Sequence, residues 1–254
     1  MYSFVGRRSQ VVMVNSTWTL NHINSLWNIK ERTAIVYPPC NTTNLHDIPI
    51  SSQTREKLII SIGQFRPEKN HTLQVEAFHS LLKQHPNYRG NVKLILIGSS
   101  RNEQDNNRIN KLKEKCKELK IEKEVEFSIN VKYNELKEWL SKAMIGVHTM
   151  WNEHFGIGVV EFMASGVIPV AHNSAGPKED IVIPYNKQIT GYLATTADEY
   201  ADHFHHILQL NLSARTNIQE VGRQSSLRFS DEIFNTKFKQ FVSPVINVPT
   251  NNKN

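Results

Sequence analysis

The sequence predicts an α/β protein built on a doubly wound parallel sheet. Short runs of β-branched and aliphatic residues alternate with segments whose apolar residues recur at helical spacing, which is typical of parallel strands joined by helices. The strand candidates are almost entirely apolar, as strands covered on both faces are. They are Leu58–Ile62, Val92–Ile97, Val125–Phe127, Ile145–His148 and Val167–Ala171. Folds of this class bind ligands beyond the carboxyl ends of their strands, so a site is expected there.

Three helices are predicted between these strands. Apolar residues recur at helical spacing from Leu73 to Leu82 and again from Ile109 to Leu119. Asn134 is a candidate N-cap for a third helix that carries Leu136 and Leu140. Strand and helix segments therefore alternate in the order that a doubly wound sheet requires.

The composition along the chain predicts three segments. Residues 1–50 contain a short strand–helix–strand pattern that ends in prolines, and polar residues 41–57 are typical of a connector, so residues 1–50 are expected to be the end of a preceding domain with its linker. Residues 51–228 hold the main domain. Residues 229–254 predict a helix capped by Asp231, followed from Val242 by a disordered tail. That helix is expected to pack on the domain through Ile233, Phe234, Phe238 and Phe241, and a membrane-facing role for these side chains is the alternative.

Composition limits the class of protein without deciding it. With 254 residues, of which 39% are hydrophobic, the chain is long enough to bury a full core. Its formal charge of +6 suits a nucleotide diphosphate, a lipid pyrophosphate or an acidic membrane surface. Cys40 and Cys116 do not have the spacing of a metal site and are expected to be packing residues. The sequence shows no signal peptide and no apolar run of about 18 residues, which predicts a soluble or peripheral protein.

Two glutamates flank a glycine-containing turn that follows the fourth predicted strand. Glu153 precedes the turn, and Glu161 lies eight residues later, in what is expected to be the first turn of a helix. Free N–H groups at a helix N-terminus bind diphosphates, and Gly156 and Gly158 allow the backbone to approach an anion closely. The pattern predicts a nucleotide-sugar site in which Glu161 accepts ribose hydroxyls and Glu153 contacts the sugar. For the two glutamates alone, the alternative is a surface loop with one glutamate at a helix start.

A basic turn follows the first predicted strand of the main domain. Gly63 begins it, Arg66 offers a planar fork of donors for phosphate oxygens, and Lys69 supplies a compact charge. Such cations stabilise the negative charge that develops on a departing nucleotide diphosphate. An exposed basic turn is the alternative. A second glycine turn begins at Gly98 and is expected at the same edge of the sheet.

The phosphate-binding motifs of other enzyme classes are missing from the sequence. It contains no Asp-x-Asp pair for a divalent metal, no Walker-type loop and no G-x-G-x-x-G after a strand. We therefore expect no metal and no cofactor. Arg66, Lys69 and helix dipoles are expected to neutralise the phosphate charge. Such a set of groups suits metal-independent sugar transfer.

Several segments together carry a family resemblance. In chain order they are GQFRPEKN, LILIGSS, VEFSINVKYNELKEWLSKAMIGVHTMWNEHFGIGVVEFMASG and AHNSAGPKEDIV. They resemble the carboxyl-terminal, Rossmann-like half of retaining GT-B glycosyltransferases with the two-glutamate motif. HTMWNEHFGIGVVE and VVMVNSTWTLNHINSLW are particularly similar to the α-1,2-mannosyltransferases of the endoplasmic reticulum that use GDP-mannose. The resemblance extends to about Phe229, and residues 1–50 correspond to a remnant of the amino-terminal acceptor domain.

The resemblance implies a role for each matching position. Glu153 would contact the transferred mannose and Glu161 the ribose of GDP. The amides of Phe155, Gly156 and Ile157 would face the diphosphate, with Lys69 opposite. Guanine would be read near Asn130. Many relatives carry arginine directly after the glycine of the basic turn, where this chain has Gln64, so the assignment of that role to Arg66 rests on position alone.

The resemblance also implies partners and a location. The partners would be GDP-mannose, a dolichol-pyrophosphate-linked Man-GlcNAc oligosaccharide, and a membrane surface contacted through the missing amino-terminal part, on the cytosolic face of the endoplasmic reticulum. Because most of the acceptor domain is absent from the sequence, a non-catalytic nucleotide-sugar-binding fragment or partner subunit is the alternative. A nucleic-acid partner is not expected, because no recognised binding module accompanies the basic charge.

Overall fold

The computed structural model describes residues 2–50 and 55–246. Residues 51–54 of the predicted connector and residues 247–254 of the predicted tail lie outside the described residues.

The first segment forms a small two-stranded parallel unit. It contains α1 (Tyr2–Gly6), β1 (Val12–Val14), α2 (Thr17–Trp27), β2 (Thr33–Ile35) and α3 (Thr43–His46). β1 pairs with β2 in parallel, with Val12 opposite Thr33. Ser16 caps α2, because its side chain accepts a hydrogen bond from the backbone N–H of Thr19. The predicted strand–helix–strand pattern of this segment is confirmed.

The main sheet has six parallel strands within the described residues. They are β3 (Leu58–Ile62), β4 (Lys93–Gly98), β5 (Val125–Ile129), β6 (Ile145–His148), β7 (Ile168–His172) and β8 (Tyr192–Ala194). Their order is β5-β4-β3-β6-β7-β8, so the direction of winding reverses between β3 and β6. A reversal of this kind opens a crevice at the carboxyl ends of the two central strands. The predicted doubly wound parallel sheet is confirmed.

Helices cover both faces of this sheet. They are α4 (His71–Gln84), α5 (Glu103–Glu118), α6 (Tyr133–Lys142), α7 (Ile157–Ala164), α8 (Ala197–Gln209) and α9 (Leu212–Ser226). A last helix, α10 (Asp231–Ile246), follows α9 along the chain. Neighbouring residues of β3 point to opposite faces: Ile59 packs with residues of α4, α5 and α8, whereas Ile60 packs with residues of α3, α6 and α7. The continuous apolar runs are thus explained by burial on both sides.

Two predicted helix starts and the predicted tail require correction. α6 begins at Tyr133, and its N-cap residue is Lys132, whose N–H donates to the Glu135 carboxylate at 2.8 Å, so Asn134 is not the cap. At α10, Ser230 Oγ rather than Asp231 accepts a backbone hydrogen bond, from Ile233 N–H at 3.3 Å. α10 continues to Ile246, past the expected start of the tail at Val242, and buries none of its side chains.

Two arginines, buried Arg55 and half-buried Arg223, hold the carboxyl ends of two helices. Arg55 donates to the carbonyls of Leu140 and Ala143 at the end of α6 and of Ser165 at the end of α7. Arg223 donates to the carbonyl of Ala164. A cation at a helix C-terminus satisfies unpaired carbonyls and complements the helix dipole. These contacts fix the axis of α7, whose opposite end reaches the crevice.

The small unit is fastened to the main domain by Asp180, which is 1% exposed. Its carboxylate accepts hydrogen bonds from Thr17 N–H at 2.9 Å and from the Tyr37 hydroxyl at 2.8 Å. Cys40 forms a parallel bridge with Ser230, which ties the segment after β2 to the start of α10. The domain boundaries predicted near residues 50 and 228 stay predictions.

Two further expectations concern cysteines and membrane spans. Cys40 and Cys116 are both free and buried, as expected for packing residues. None of the helices in residues 2–50 and 55–246 has the length and apolar character needed to cross a bilayer.

Candidate active site

A cleft of about 380 Å³ opens where the winding of the sheet reverses. Ile62 ends β3 and His148 ends β6, and both line this cleft. Its other lining residues come from the basic turn, the loop after β6, the start of α7, and the segments that follow β1 and β2. These are Lys69, Glu153, His154, Phe155, Gly156, Ile157, Gly158, Asn15 and Pro38. The sheet topology therefore brings the two predicted motifs together.

Hydrogen bonds brace the loop after β6 against the start of α4. The Thr149 hydroxyl donates to the carbonyl of Lys69 at 2.8 Å, and Gln74 Nε2 donates to the same Thr149 oxygen at 2.9 Å. Asn152 N–H donates to Ser174 Oγ at 2.9 Å. Because the loop is held at several points, the position of Glu153 is set before any ligand arrives.

Glu153 is held as a carboxylate by two neighbours. Its Oε2 lies 2.7 Å from Lys69 Nζ and 3.4 Å from His148 Nε2. Burial raises the pKa of Glu153, but hydrogen bonds from His148 and Lys69, with the charge of Lys69, outweigh burial and lower the pKa to about 2. The cleft thus contains a fixed negative charge at neutral pH, next to an ammonium group that partly neutralises it.

The N-terminus of α7 presents free backbone donors to the cleft. Gly156 is the N-cap residue of α7, and its φ of 112° lies in the region that favours glycine. Among the described residues, no backbone carbonyl accepts from the N–H of Phe155, Gly156 or Ile157. The side chain of Phe155 is buried and stacks on Tyr37 at 5.6 Å, so only its backbone serves the cleft. These amides and the positive end of the helix dipole suit an anion.

Glu161 lies one helical turn later in α7 than predicted. α7 begins at Ile157 and has no acidic residue in its first turn, so Glu161 is in the second turn and the first-turn expectation is wrong. Burial raises the pKa of Glu161. Burial raises the pKa values of Cys40 and Tyr133, and the charge of Glu161 raises both further, which places Glu161 near these two side chains. Within the described part of the chain it has no ion-pair partner.

The other predicted residues lie around the cleft rather than in its lining. Gly63 and Gly98 are in contact, because a Cβ on Gly98 would come within 2.0 Å of the Gly63 carbonyl oxygen. Asn130 N–H donates to the carbonyl of Gly98 at 2.9 Å, and Asn130 lines a separate cavity of about 570 Å³ beside α6. The Arg66 side chain is 41% exposed and pairs with Glu68 at 3.9 Å. The roles predicted for these four residues stay predictions.

One wall of the cleft and one neighbour of Glu153 were not predicted. Asn15 and Pro38 supply the wall from the small unit, and His148 contacts the carboxylate. Single Asn, Pro and His residues carry no local signal of a site. The position of His148 at the carboxyl end of a predicted strand was the available clue. In residues 2–50 and 55–246, no three His, Cys, Asp or Glu side chains group as ligands for a metal ion.

Comparison with known sequences shows the family. The profile described as Glycosyl transferases group 1 matches residues 45–225, which is more than half of the chain. The chain belongs to this family. One relative is the mouse protein named GDP-Man:Man(3)GlcNAc(2)-PP-Dol alpha-1,2-mannosyltransferase. It is 52% identical to this chain over 241 residues, and the match covers 94% of this chain and 49% of the mouse protein. The Dictyostelium discoideum protein of the same name is 45% identical over 261 residues, 100% of this chain and 51% of its own length.

The chain therefore spans about half the length of the curated group 1 relatives it matches.

Solved structures are similar in fold. A glycosyltransferase of Rickettsia africae superposes with a TM-score of 0.80 at 18% identity, covering 97% of this chain and 68% of the other. HepE of Anabaena, in complex with UDP and glucose, gives a TM-score of 0.76 at 19% identity, covering 94% and 64%. These likenesses confirm the predicted GT-B fold.

Proposed function

We propose that the chain forms the donor-binding half of an α-1,2-mannosyltransferase that uses GDP-mannose. The single observation that supports this most is the ionised Glu153, held by Lys69 at 2.7 Å beside the free amides that begin α7. In this proposal the amides and the helix dipole bind the diphosphate, and Lys69 stabilises the charge that develops on it as the glycosidic bond breaks. The names of the relatives support mannose as the sugar and dolichol-linked Man(3)GlcNAc(2) as the acceptor.

Glu153 and Glu161 would then divide the donor between them. Glu153 accepts hydrogen bonds from hydroxyls of the transferred mannose, and Glu161 accepts them from the ribose of GDP. A carboxylate with raised pKa binds hydroxyls well, because burial has already removed much of its hydration. Retention of configuration and independence from metal belong to the same proposal and rest on the family resemblance.

The location of the reaction follows from the acceptor. A dolichol-linked glycan is anchored in a membrane, so the reaction takes place at a membrane surface. The cytosolic face of the endoplasmic reticulum is the surface that the resemblance implies. Contact with the membrane would come from the part of the longer relatives that this chain does not match.

Calorimetric titration of the chain with GDP, GDP-mannose and UDP tests the donor class. We expect both guanine nucleotides to bind and UDP to bind at least about tenfold more weakly, which corresponds to about 1.4 kcal/mol. No guanine-nucleotide binding, or a preference for UDP, would refute the proposal.

The division of roles between the two glutamates has its own test. Glu161→Ala is expected to weaken binding of GDP and GDP-mannose alike, whereas Glu153→Ala is expected mainly to lower the rate of mannose transfer. Titration with GDP and a transfer assay with a dolichol-linked acceptor measure the two effects. An equal loss of GDP binding in both variants would contradict the division.

The second candidate is a non-catalytic donor-binding subunit, in which the cleft binds the donor without transferring its sugar. GDP-mannose binding without mannose transfer to the acceptor, in the presence of a separately supplied amino-terminal half, would support this candidate.

A further inference from the structure

One wall of the cleft comes from the small unit. Asn15 directly follows β1, and Pro38 lies shortly after β2. The carboxyl ends of these two parallel strands therefore reach the cleft, as the carboxyl ends of β3 and β6 do from the main domain. Asn15 is the polar side chain on this wall.

The amide of Asn15 has a fixed orientation. The Thr19 hydroxyl donates to Asn15 Oδ1 at 2.7 Å, and the Ser16 hydroxyl lies 3.4 Å from the same oxygen. These contacts assign the oxygen to the α2 side of the amide. Asn15 Nδ2 has no acceptor among the described residues, and Asn15 lines the cleft. Its two N–H bonds are therefore available to a ligand in the cleft.

The wall is also fixed relative to Glu153. Asp180 accepts hydrogen bonds from Thr17 on α2 and from Tyr37 after β2. The indole of Trp18 stacks on the ring of His154 at 4.7 Å, and His154 directly follows Glu153. A donor on one wall and a carboxylate on the other are thus held in one geometry before a ligand binds.

The two groups together select the chemistry of the ligand. An anion would accept from Asn15 but would be repelled by the carboxylate of Glu153. A hydroxyl donates and accepts, so neighbouring hydroxyls of one sugar ring donate to Glu153 and accept from Asn15. We propose that Asn15 binds the transferred hexose by donating a hydrogen bond to one of its hydroxyls. This inference rests on the proposed function, because it assumes that the cleft holds a nucleotide sugar.

Titration of wild type, Asn15→Ala and Asn15→Asp with GDP and with GDP-mannose tests the inference. GDP affinity is expected to stay within about twofold of wild type in Asn15→Ala, because GDP lacks the hexose. In Asn15→Asp it is expected to fall less than GDP-mannose affinity, because the new carboxylate also repels the diphosphate. GDP-mannose affinity is expected to fall about fivefold to tenfold in Asn15→Ala, the usual value of one neutral hydrogen bond. Asn15→Asp keeps the acceptor for Thr19 but replaces the donor by a second carboxylate, so a larger loss is expected.

A further variant checks the orientation of the amide. Thr19→Val keeps the shape of the side chain but removes the hydrogen bond to Asn15, so a smaller loss of GDP-mannose affinity is expected, again with GDP unchanged. Thermal unfolding of each variant shows whether it is folded. If Asn15→Ala does not fold, Asn15→Asp, which keeps the contact to Thr19, decides the result.

The outcomes separate the two proposals. If the wild-type chain binds neither ligand, the proposed function fails. If the wild-type chain binds both and the Asn15 variants change the two affinities equally, or change neither, the hexose-binding role of Asn15 is overturned while the donor site stands.

Discussion

Replacing Glu153 with glutamine removes the negative charge that Lys69 and His148 surround while keeping the shape of the side chain. In the folded protein the pKa of Glu153 is lowered from its ordinary value of 4.5 to about 2. A lowered carboxyl pKa stabilises the fold above the ordinary pKa, and this contribution disappears as the pH falls through the folded value. Glu153 and Lys69 are only 18% and 26% exposed, so solvent screens their interaction weakly.

The magnitude follows from the size of the shift. Lowering the pKa from 4.5 to about 2 means that the ionised Glu153 contributes about 3 kcal/mol to the free energy of unfolding at pH 7. At pH 3, where the carboxylate in the unfolded chain is mostly protonated, the same contribution is about 1 kcal/mol. We therefore expect Glu153→Gln to lower the free energy of unfolding by about 3 kcal/mol at pH 7. The difference from wild type should shrink steadily between pH 5 and pH 2.

Urea denaturation of both proteins at several pH values measures this difference. Glu68→Gln is the matched control, because Glu68 is 45% exposed and its contact with Arg66 is 3.9 Å long. Its effect should stay within about 0.5 kcal/mol, as for other exposed ion pairs. If the two proteins differ in free energy of unfolding by the same amount at pH 7 and pH 3, the ionised carboxylate of Glu153 does not stabilise the fold in the way described.

Three further substitutions test the supports of the site. Gly156→Ala places a side chain at φ = 112°, with its Cβ 3.4 Å from Pro177. We expect urea denaturation to show about 1–2 kcal/mol of destabilisation, and we expect GDP to bind more weakly. Unchanged GDP affinity would contradict binding of the diphosphate by the amides that begin α7. Arg55→Met leaves the carbonyls at the ends of α6 and α7 without a donor and is expected to cost about 3 kcal/mol of stability; a loss below about 1 kcal/mol would show that other groups replace the contacts. Asp180→Asn weakens the contacts with Thr17 and Tyr37, and faster proteolysis of the small unit, with the main domain intact, is the expected result.

Hydrophobic patterning was sufficient for most of the main sheet. β3 and β6 have the predicted bounds, and β4 and β7 are displaced by one residue. These strands are buried on both faces, so each one needs a continuous apolar run that stands out from the helices around it. β8 was missed because it has three residues and lies at the edge of the sheet, where pairing with β7 rather than its own composition makes it a strand.

Patterning was less informative about the ends of helices. A cap is decided by which side chain reaches a free amide, and several neighbouring residues are chemically suitable. Ser230 and Asp231 are both good caps, and the contact with Ile233 N–H selects Ser230. In the same way, the start of α7 at Ile157 moves Glu161 out of the first turn, although the glycine turn itself was recognised.

The sequence by itself determined the fold class and the two motifs that meet at the cleft. Glu153 and Lys69 are 84 positions apart, yet both follow strands that a doubly wound topology places side by side, so their meeting was predictable. Only the tertiary structure decided that His148 contacts Glu153, that Arg66 is not among the residues lining the cleft, and that Asn15 is among them. The physical reason is that periodicity records which face of an element is buried, whereas a contact between distant polar side chains depends on how separate elements pack.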